Sequence, residues 1–274
     1  MTGVRAVIVG VSGRMGRELV RAAGEFPQLR ITGAVASAAS ASLGRDAGEL
    51  AGTQPLGVRV TGDLGAALAA ADVALDFSQP QATRSNIAAC RSARKPLLLG
   101  TTGFAAELSE AELDAAAREI PLLVAPNTSY GVALLLELVR RAAKALPAPF
   151  DIEVLEAHHR TKRDAPSGTA LALARAAGEG RGLAAPEALA GAASGRTGPR
   201  RQGEIGFAVL RGGDIVGEHT VLFAGPGEEL RLSHRAGDRA IFARGALRAA
   251  LWLAGQPAGR YGMSDIVKTD HALG

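Results

Sequence analysis

Short apolar runs alternate with alanine-rich stretches through the first half of the chain. Strands of a parallel sheet are buried on both faces and have near-continuous apolar sequences, whereas helices show a longer period. The apolar runs that predict strands are 4–9, 30–36, 58–61, 73–77, 96–99 and 122–125. The stretches that predict helices are 13–24, 64–70, 80–93 and 109–119. This alternation is typical of a doubly wound α/β domain with right-handed crossovers.

The pattern changes after about residue 127. Segment 129–145 predicts a helix, and 151–156 alternates polar and apolar side chains, as a strand with one exposed face does. Similar alternation predicts strands at 204–211, 218–224 and 228–235, and a last helix is predicted at 239–254. These elements indicate a second, α+β domain whose sheet is antiparallel or mixed. Segment 178–203 is rich in Gly, Arg and Pro and predicts an exposed loop, whose role the sequence leaves open.

Composition narrows the class of protein. The 274 residues suffice for two domains, and 47% hydrophobic with 21% charged residues excludes a disordered or collagen-like chain. The net charge is only +4 and the basic residues are scattered, so no nucleic-acid partner is expected. No apolar run approaches the roughly 18 residues of a membrane span, so no membrane partner is expected. Because Cys90 is the single cysteine and the start lacks a secretory signal pattern, we expect a cytoplasmic protein without disulfides.

A glycine turn follows the first predicted strand. Gly10 permits a tight turn, Gly13 lets backbone N–H groups approach a pyrophosphate, and Gly16 lets the helix pack closely on the strand. Ser12 occupies the position of the second glycine in the commoner GxGxxG fingerprint. This turn predicts dinucleotide binding, the alternative being a purely structural turn.

The end of the second predicted strand should carry an acid that binds the adenosine ribose. No carboxylate lies between Ala34 and Asp46, and Ser37 stands near the expected position. Ser37 could bind a ribose or a phosphate, or could be only a turn residue. The sequence therefore leaves the choice between NADH and NADPH open.

The segment after the strand that starts at Asp151 has the highest density of chemically active side chains. Side chains next to each other at a strand end point to opposite faces, so His158 and His159 are expected to have different roles. Lys162 follows, and then a turn opens a helix whose first N–H groups could bind a carboxylate, a role predicted for Ser167, Gly168 and Thr169. The alternative is a basic surface loop before an ordinary capped helix.

No metal site is predicted. Two adjacent histidines chelate one ion poorly, and no cysteine or further histidine lies nearby at ligand spacing. Structural roles are favoured for His219 and His234, and 211–214 is interpreted as a tight turn between strands.

Two other polar segments follow predicted strands. Gly100, Thr101 and Thr102 come after one, and Asn127 with Thr128 come after another. Both lie at the carboxyl edge of the predicted sheet, where doubly wound folds bind their ligands. Each is either a ligand-binding segment or a plain loop.

Together these segments resemble the 4-hydroxy-tetrahydrodipicolinate reductase family, also called dihydrodipicolinate reductases, which act in lysine and diaminopimelate biosynthesis. The likeness spans nearly the whole chain and is carried, in order, by residues 10–16, 46–50, 76–78, 100–104, 127–129, 156–170 and 211–220. The run 156–170 is highly specific, whereas the glycine turn would fit many dehydrogenases. A non-catalytic NAD(P)H sensor, or another reductase of amino-acid metabolism on the same fold, is the alternative.

The resemblance implies a Rossmann-like dinucleotide-binding domain at 1–126 plus 240–274. It also implies an inserted domain at 127–239 for substrate binding and homotetramer formation. The implied reaction is reduction of a cyclic dicarboxylate: loss of water gives a conjugated ring, NADH or NADPH supplies a hydride at C4, and a proton reaches C5.

The resemblance also implies roles for individual residues. It makes His158 the catalytic acid/base, Lys162 a proton donor, His159 a substrate contact, and Gly168 with Thr169 a carboxylate cradle. The predicted nucleotide-binding residues are Gly10, Val11, Ser12, Gly13, Arg14, Met15, Ser37, Gly100, Thr101, Thr102, Ala125, Pro126, Asn127 and Thr128. The sequence departs from the family at Ser37 and Ala38, where an acid, sometimes followed by an arginine, is common.

Overall fold

The computed structural model describes residues 3–147, 149–183 and 199–271. The chain divides into two compact units, one formed by Met1–Tyr130 with Ala240–Gly274 and the other by Gly131–Arg239. The second unit is therefore an insertion in the sequence of the first. No helix in the described part of the chain combines the length and the apolar character that a membrane span requires.

The strands have the following bounds in chain order: β1 Val4–Val9, β2 Leu29–Val35, β3 Val60–Thr61, β4 Val73–Asp76, β5 Leu97–Leu99, β6 Pro121–Val124, β7 Asp151–His158, β8 Ile205–Arg211, β9 Gly217–Gly225, β10 Glu228–Ala236 and β11 Gly259–Tyr261. The helices are α1 Arg14–Ala23, α2 Ala47–Ala51, α3 Leu64–Ala69, α4 Pro80–Ala93, α5 Glu110–Ala117, α6 Tyr130–Ala145, α7 Gly168–Gly180, α8 Ala240–Leu253 and α9 Met263–His271. A short 3-10 turn lies at Phe104–Ala106.

The first unit contains a parallel sheet with the strand order β3-β2-β1-β4-β5-β6-β11. The direction of strand succession reverses between β1 and β4, which is the position where doubly wound sheets open a ligand crevice. Leu97, Leu98 and Leu99 of β5 are fully buried, as the continuous apolar runs predict. The predicted doubly wound Rossmann-like fold is confirmed.

Local signals place the helices of this unit. The hydroxyl of Ser109 accepts a hydrogen bond from the Glu112 N–H, and the Glu112 carboxylate accepts one from the Ser109 N–H, so a capping box begins α5. In contrast, α2 has too few residues to show a helical period in the sequence. It is held by Asp46, whose carboxylate accepts from the N–H groups of Gly48 and Glu49.

The second unit contains a four-stranded sheet with the order β10-β9-β7-β8. The β7–β8 pair is parallel, whereas β7–β9 and β9–β10 are antiparallel, so the sheet is mixed. In β7, every second side chain from Ile152 to His158 is buried, which matches the predicted alternation. Ile152 and Val154 pack in an apolar core with residues of α6 and α7, including Leu135 and Leu173.

The structure differs from the sequence prediction at a few places. Strand β11 and helix α9 follow the helix that was predicted to be last. The predicted loop at 178–203 begins too early, because α7 continues through Gly180, and residues 184–198 of this loop lie outside the described residues. Strand β11 and helix α9 have too few residues to show a clear period in the sequence, and β11 depends on its parallel pairing with β6.

Candidate functional site

The glycine turn of the first unit joins β1 to α1. Gly10 has a φ of +84°, and a Cβ there would lie 2.5 Å from the Phe77 carbonyl oxygen, so only glycine fits. A Cβ at Gly16 would lie 2.3 Å from the Gly10 carbonyl oxygen. Gly13 is the N-cap of α1 and has no side chain. The first N–H groups of this helix therefore receive no hydrogen bond from a capping side chain.

A cavity of about 710 Å³ opens at the carboxyl ends of β1, β2, β4 and β5. Nine predicted nucleotide-binding residues line it, namely Gly10, Ser12, Gly13, Arg14, Met15, Ser37, Gly100, Thr101 and Thr102. Its size, its place at the switch point of the sheet and the N-terminus of α1 at its wall fit a dinucleotide. The residues present therefore suit NADH or NADPH.

The charge on the described lining of this cavity is positive. Arg14 is the single charged side chain among the lining residues, and Ser37 and Ala38 stand at the end of β2. No carboxylate lines the cavity in the described part of the chain. A second phosphate near Ser37 would therefore meet no negative charge from this wall.

A buried carboxylate fixes the far side of the same cavity. The carboxylate of Asp76, fully buried at the end of β4, accepts hydrogen bonds from the Ser78 N–H at 2.9 Å and the Asn86 amide at 2.9 Å. The Thr101 hydroxyl lies 3.2 Å from the same carboxylate. Asp76 thus holds three lining residues, Ser78, Asn86 and Thr101, in place, a role that was not predicted from the sequence.

The other five predicted nucleotide-binding residues do not line this cavity. Val11 is fully buried and donates its N–H to the Val35 carbonyl at 3.1 Å. The Thr128 hydroxyl donates to the Phe242 carbonyl at 2.7 Å, and Asn127 accepts from the Ser129 N–H. Ala125 is buried and Pro126 is exposed.

In the second unit, one face of the mixed sheet carries a buried polar cluster. Glu156 and His158 lie on the same face of β7, and the strand register places Glu156 opposite His219 of β9, which pairs with His234 of β10. The Nδ1 atom of His158 lies 2.8 Å from Glu156 Oε2, and His219 Nε2 lies 3.9 Å from the same oxygen. The sequence favoured a structural role for His219 and did not predict its contact with Glu156. Alternation along β9 was the only signal in the sequence that could have indicated this contact.

Glu156 is ionised at neutral pH despite its burial. Its Oε1 atom accepts hydrogen bonds from the Ser167 N–H and from the Arg211 guanidinium, each at 2.9 Å. Burial acts to raise the pKa of Glu156, but hydrogen bonds from the Ser167 side chain, from Arg211 and from the Ser167 N–H, together with the Arg211 charge, outweigh it and hold the pKa below its usual value. Arg211 ends β8, so the predicted turn at 211–214 starts one residue later and this arginine is part of the cluster.

The histidines of the cluster are neutral at neutral pH. Burial is the largest cause that lowers the pKa of His158, and Lys162 and Arg211 lower it further, while Glu156 opposes them. Burial and the neighbouring His158 lower the pKa of His219 to about 4. The His219 ring is held by a contact of 3.2 Å between its Nε2 and the Ser167 hydroxyl.

The segment after β7 contacts the cluster through Arg211, whose guanidinium donates a hydrogen bond to the Asp164 carbonyl at 2.7 Å. Lys162 Nζ forms an ion pair of 2.9 Å with Asp164, and His159 Nδ1 lies 2.7 Å from the Thr161 hydroxyl. Ser167 caps α7, because its hydroxyl accepts the Ala170 N–H at 3.1 Å. The Ser167 hydroxyl therefore makes its contacts within the protein, with the Ala170 N–H and the His219 ring.

Gly168 is not required by packing. A Cβ at Gly168 would meet no other atom within 4 Å, which leaves open space beside the first turn of α7. Thr169 follows it in that turn. The N-terminus of α7 can therefore receive a carboxylate without rearrangement of the glycine.

Three groups of the cluster also resemble a metal-ligand set. A carboxylate oxygen of Glu156 and one nitrogen each of His158 and His219 lie within 4.8 Å of one another. However, Arg211 already binds this carboxylate, and Lys162 adds a second positive charge near His158, so a divalent cation would meet repulsion. The arrangement suits proton transfer better than metal binding, and the absence of a metal site stays a prediction.

Comparison with known proteins gives a match along both units. The family model "Dihydrodipicolinate reductase, N-terminus" matches residues 4–128, and "Dihydrodipicolinate reductase, C-terminus" matches residues 131–267. Proteins named 4-hydroxy-tetrahydrodipicolinate reductase are similar: that of Alkalilimnicola ehrlichii is 52% identical over 96% of this chain and 98% of its own length. That of Anaeromyxobacter dehalogenans strain 2CP-1 is 48% identical over 96% of this chain and 97% of its own length.

Solved structures show the same fold at low sequence identity. The dipicolinate-bound dihydrodipicolinate reductase from Paenisporosarcina sp. TG-14 has a TM-score of 0.76 at 23% identity, covering 97% of this chain and all of that chain. An amine dehydrogenase from Mycobacterium smegmatis has a TM-score of 0.62 at 16% identity and covers 95% of each chain.

Proposed function

Because this chain belongs to the dihydrodipicolinate reductase family, we propose which of its residues carry out the family's reaction. The chain is an NAD(P)H-dependent oxidoreductase that reduces 4-hydroxy-tetrahydrodipicolinate in lysine and diaminopimelate biosynthesis. In this proposal, residues 1–126 with 240–274 bind the dinucleotide, and residues 127–239 bind the substrate.

The nucleotide is held by the glycine turn and the cavity beside it. The first N–H groups of α1 and the Arg14 side chain face the phosphates, and Ser37 binds the adenosine ribose or its 2′-phosphate. Thr101 and Thr102 hold the nicotinamide end, supported by Asp76 behind them. When bound, the nicotinamide supplies the hydride that reduces C4 of the substrate ring.

The substrate is a cyclic dicarboxylate, so it needs positive partners. Lys162 binds one carboxylate as a cation, and the N–H groups of Gly168 and Thr169 bind one at the N-terminus of α7. His159 adds a polar contact. Ser167 acts indirectly, because its hydroxyl caps α7 and contacts His219.

His158 and Lys162 handle protons. Water must leave the hydroxylated ring, and a proton must reach C5 when C4 is reduced. The observation that carries this assignment is the burial of His158 beside Glu156, close enough to the Lys162 and Arg211 charges for both to lower its pKa. The imidazole is therefore neutral near neutral pH and can take up a proton there.

Turnover of a His158→Gln variant tests the proposal. We expect freshly prepared substrate to be reduced about 10²–10⁴-fold more slowly, measured at 340 nm, because a proton-transfer group is lost. NADH binding, measured by its fluorescence, should be unchanged. A matched control is His234→Gln, a half-buried histidine two strands away in the same sheet. Turnover of His158→Gln equal to that of the control would contradict the role of His158.

The assembly is proposed to be a homotetramer formed through the mixed sheet. Strand β10 is an edge of this sheet, and Leu210 and Leu230 are large apolar side chains exposed on its strands. Light scattering after size exclusion tests this, and a monomeric mass would contradict it. A cytoplasmic location suits a reaction that consumes NAD(P)H and a chain with one cysteine.

A further inference from the structure

We propose that Glu156 is a positioning residue for the reduction. It keeps the ring proton of the neutral His158 imidazole on Nδ1, so that Nε2 is the atom that exchanges a proton with the substrate. This inference rests on the acid/base role proposed for His158. Glu156 itself touches no substrate in this proposal and acts through the histidine.

The two oxygens of Glu156 have different partners. Oε1 accepts two hydrogen bonds, from the Ser167 N–H and the Arg211 guanidinium, both at 2.9 Å. These two donors fix the orientation of the carboxylate group. Oε2 is left facing the imidazole of His158, with its Nδ1 at 2.8 Å.

His158 Nδ1 is the imidazole nitrogen nearest to Oε2, because His219 Nε2 lies farther away, at 3.9 Å. Oε2 and Nδ1 are both sealed from solvent, and neither has a well-aligned hydrogen bond to another described residue. Nδ1 lies 2.8 Å from Oε2, although the contact is not aligned as a hydrogen bond. Catalytic hydrogen bonds are often poorly aligned in a protein without substrate and become aligned when the substrate binds. A buried carboxylate oxygen and a buried ring nitrogen are costly to leave unpaired, so the Nδ1–H form is favoured.

The opposite edge of the imidazole is kept clear. A Cβ on Gly217 would lie 3.2 Å from His158 Nε2, closer than side-chain contacts normally are. Unlike Nδ1, the Nε2 atom is not sealed from solvent. The ring therefore has one nitrogen fixed by a buried anion and one that can meet a substrate.

The same carboxylate also connects His158 to the proposed carboxylate cradle. The N–H that Glu156 Oε1 accepts belongs to Ser167, the residue that caps α7. Glu156 therefore fixes the acid/base ring and the first turn of the helix through its two oxygens.

A Glu156→Gln variant tests the inference. The amide oxygen can remain with Arg211 and the Ser167 N–H, which turns the amide NH2 toward His158 Nδ1. A donor at that position makes Nδ1 an acceptor and moves the proton to Nε2. We expect kcat to fall about 10²-fold or more, with the KM for NADH unchanged.

The tautomer is measured directly by ¹⁵N NMR of the imidazole rings, with His158→Gln used to assign the His158 signals. We expect the wild-type signals of Nδ1–H and a shift toward Nε2–H in Glu156→Gln. The matched control is Glu153→Gln, which removes a carboxylate that also pairs with an arginine, Arg200, from the other face of β7. The control should keep both the turnover and the tautomer of the wild type.

The outcomes separate this inference from the proposed function. If His158→Gln keeps full turnover, the proposed role of His158 is wrong. If His158→Gln is inactive while Glu156→Gln keeps wild-type turnover and the Nδ1–H form, only the role of Glu156 is overturned. In the double variant, Glu156→Gln should add little to the loss from His158→Gln. If Glu156→Gln does not fold, an Nε2–H form of His158 in the wild type overturns the inference by itself.

Discussion

The imidazole rings of His158 and His219 meet edge to face, with centroids 5.0 Å apart and an angle of 72° between their planes. They come from neighbouring strands and flank the same oxygen of Glu156. Both rings are buried, and burial is the largest cause that lowers the pKa of each. The folded protein therefore contains a neutral histidine pair beside a fixed carboxylate.

This pair predicts a loss of stability in mild acid. The unfolded chain protonates His219 near pH 6.5, but the folded protein does so only near pH 4. Above about pH 6.5, His219 is neutral in both states and does not change the free energy of unfolding. As the pH falls toward 4, the unfolded chain takes up a proton that the folded protein does not, so the free energy of unfolding falls by about 3 kcal/mol. The unfolding midpoint of the wild type should fall more steeply between pH 7 and 4.5 than that of His219→Gln. Parallel pH curves for the two proteins would contradict this prediction.

Replacement of Lys162 by Ala should raise the KM for the substrate and lower kcat together. The ammonium group is proposed to bind a carboxylate and to help deliver the proton, so contacts in both the ground state and the transition state are lost. Steady-state kinetics at saturating NADH measure both constants. Lys144→Ala, an exposed lysine of α6, is the control. An effect limited to nucleotide affinity would show that the assignment of Lys162 is wrong.

The enzyme should accept both NADH and NADPH, with kcat/KM values within about tenfold of each other, equivalent to roughly 1.4 kcal/mol. The cavity wall near Ser37 carries no carboxylate that would repel a 2′-phosphate. Arg14 is the cation that lines the cavity. Kinetics with each nucleotide at one fixed salt concentration test this, and a preference for NADH of a hundredfold or more would refute it.

A Ser37→Asp variant should turn this tolerance into a preference for NADH. A carboxylate at the end of β2 accepts hydrogen bonds from the ribose hydroxyls and repels the 2′-phosphate. We expect kcat/KM for NADPH to fall about a hundredfold relative to that for NADH. The control is Ser40→Asp, which adds the same charge to a residue that does not line the cavity. Equal responses of the two variants would mean that Ser37 does not face the adenosine ribose.

The sequence determined the parts of this protein that depend on local chain properties. Continuous apolar runs predicted the parallel strands, because both faces of each strand are buried, and the glycine motif predicted a tight turn at Gly10, where the structure has a positive φ. Alternation along β7 placed His158 and Glu156 on one face of the sheet. The motif from 156 to 170 and its family resemblance identified the reaction before any contact was known.

Tertiary structure alone decided which distant side chains complete the site. His219 and Arg211 reach Glu156 because β9 and β8 pair with β7 in one particular register, and a shift of one residue would turn each side chain to the opposite face. The cap of α7 by Ser167 was visible in the sequence, but the contact between this hydroxyl and His219 was not. The short β11 also depends on a distant partner, because three residues form a strand only where β6 supplies hydrogen bonds.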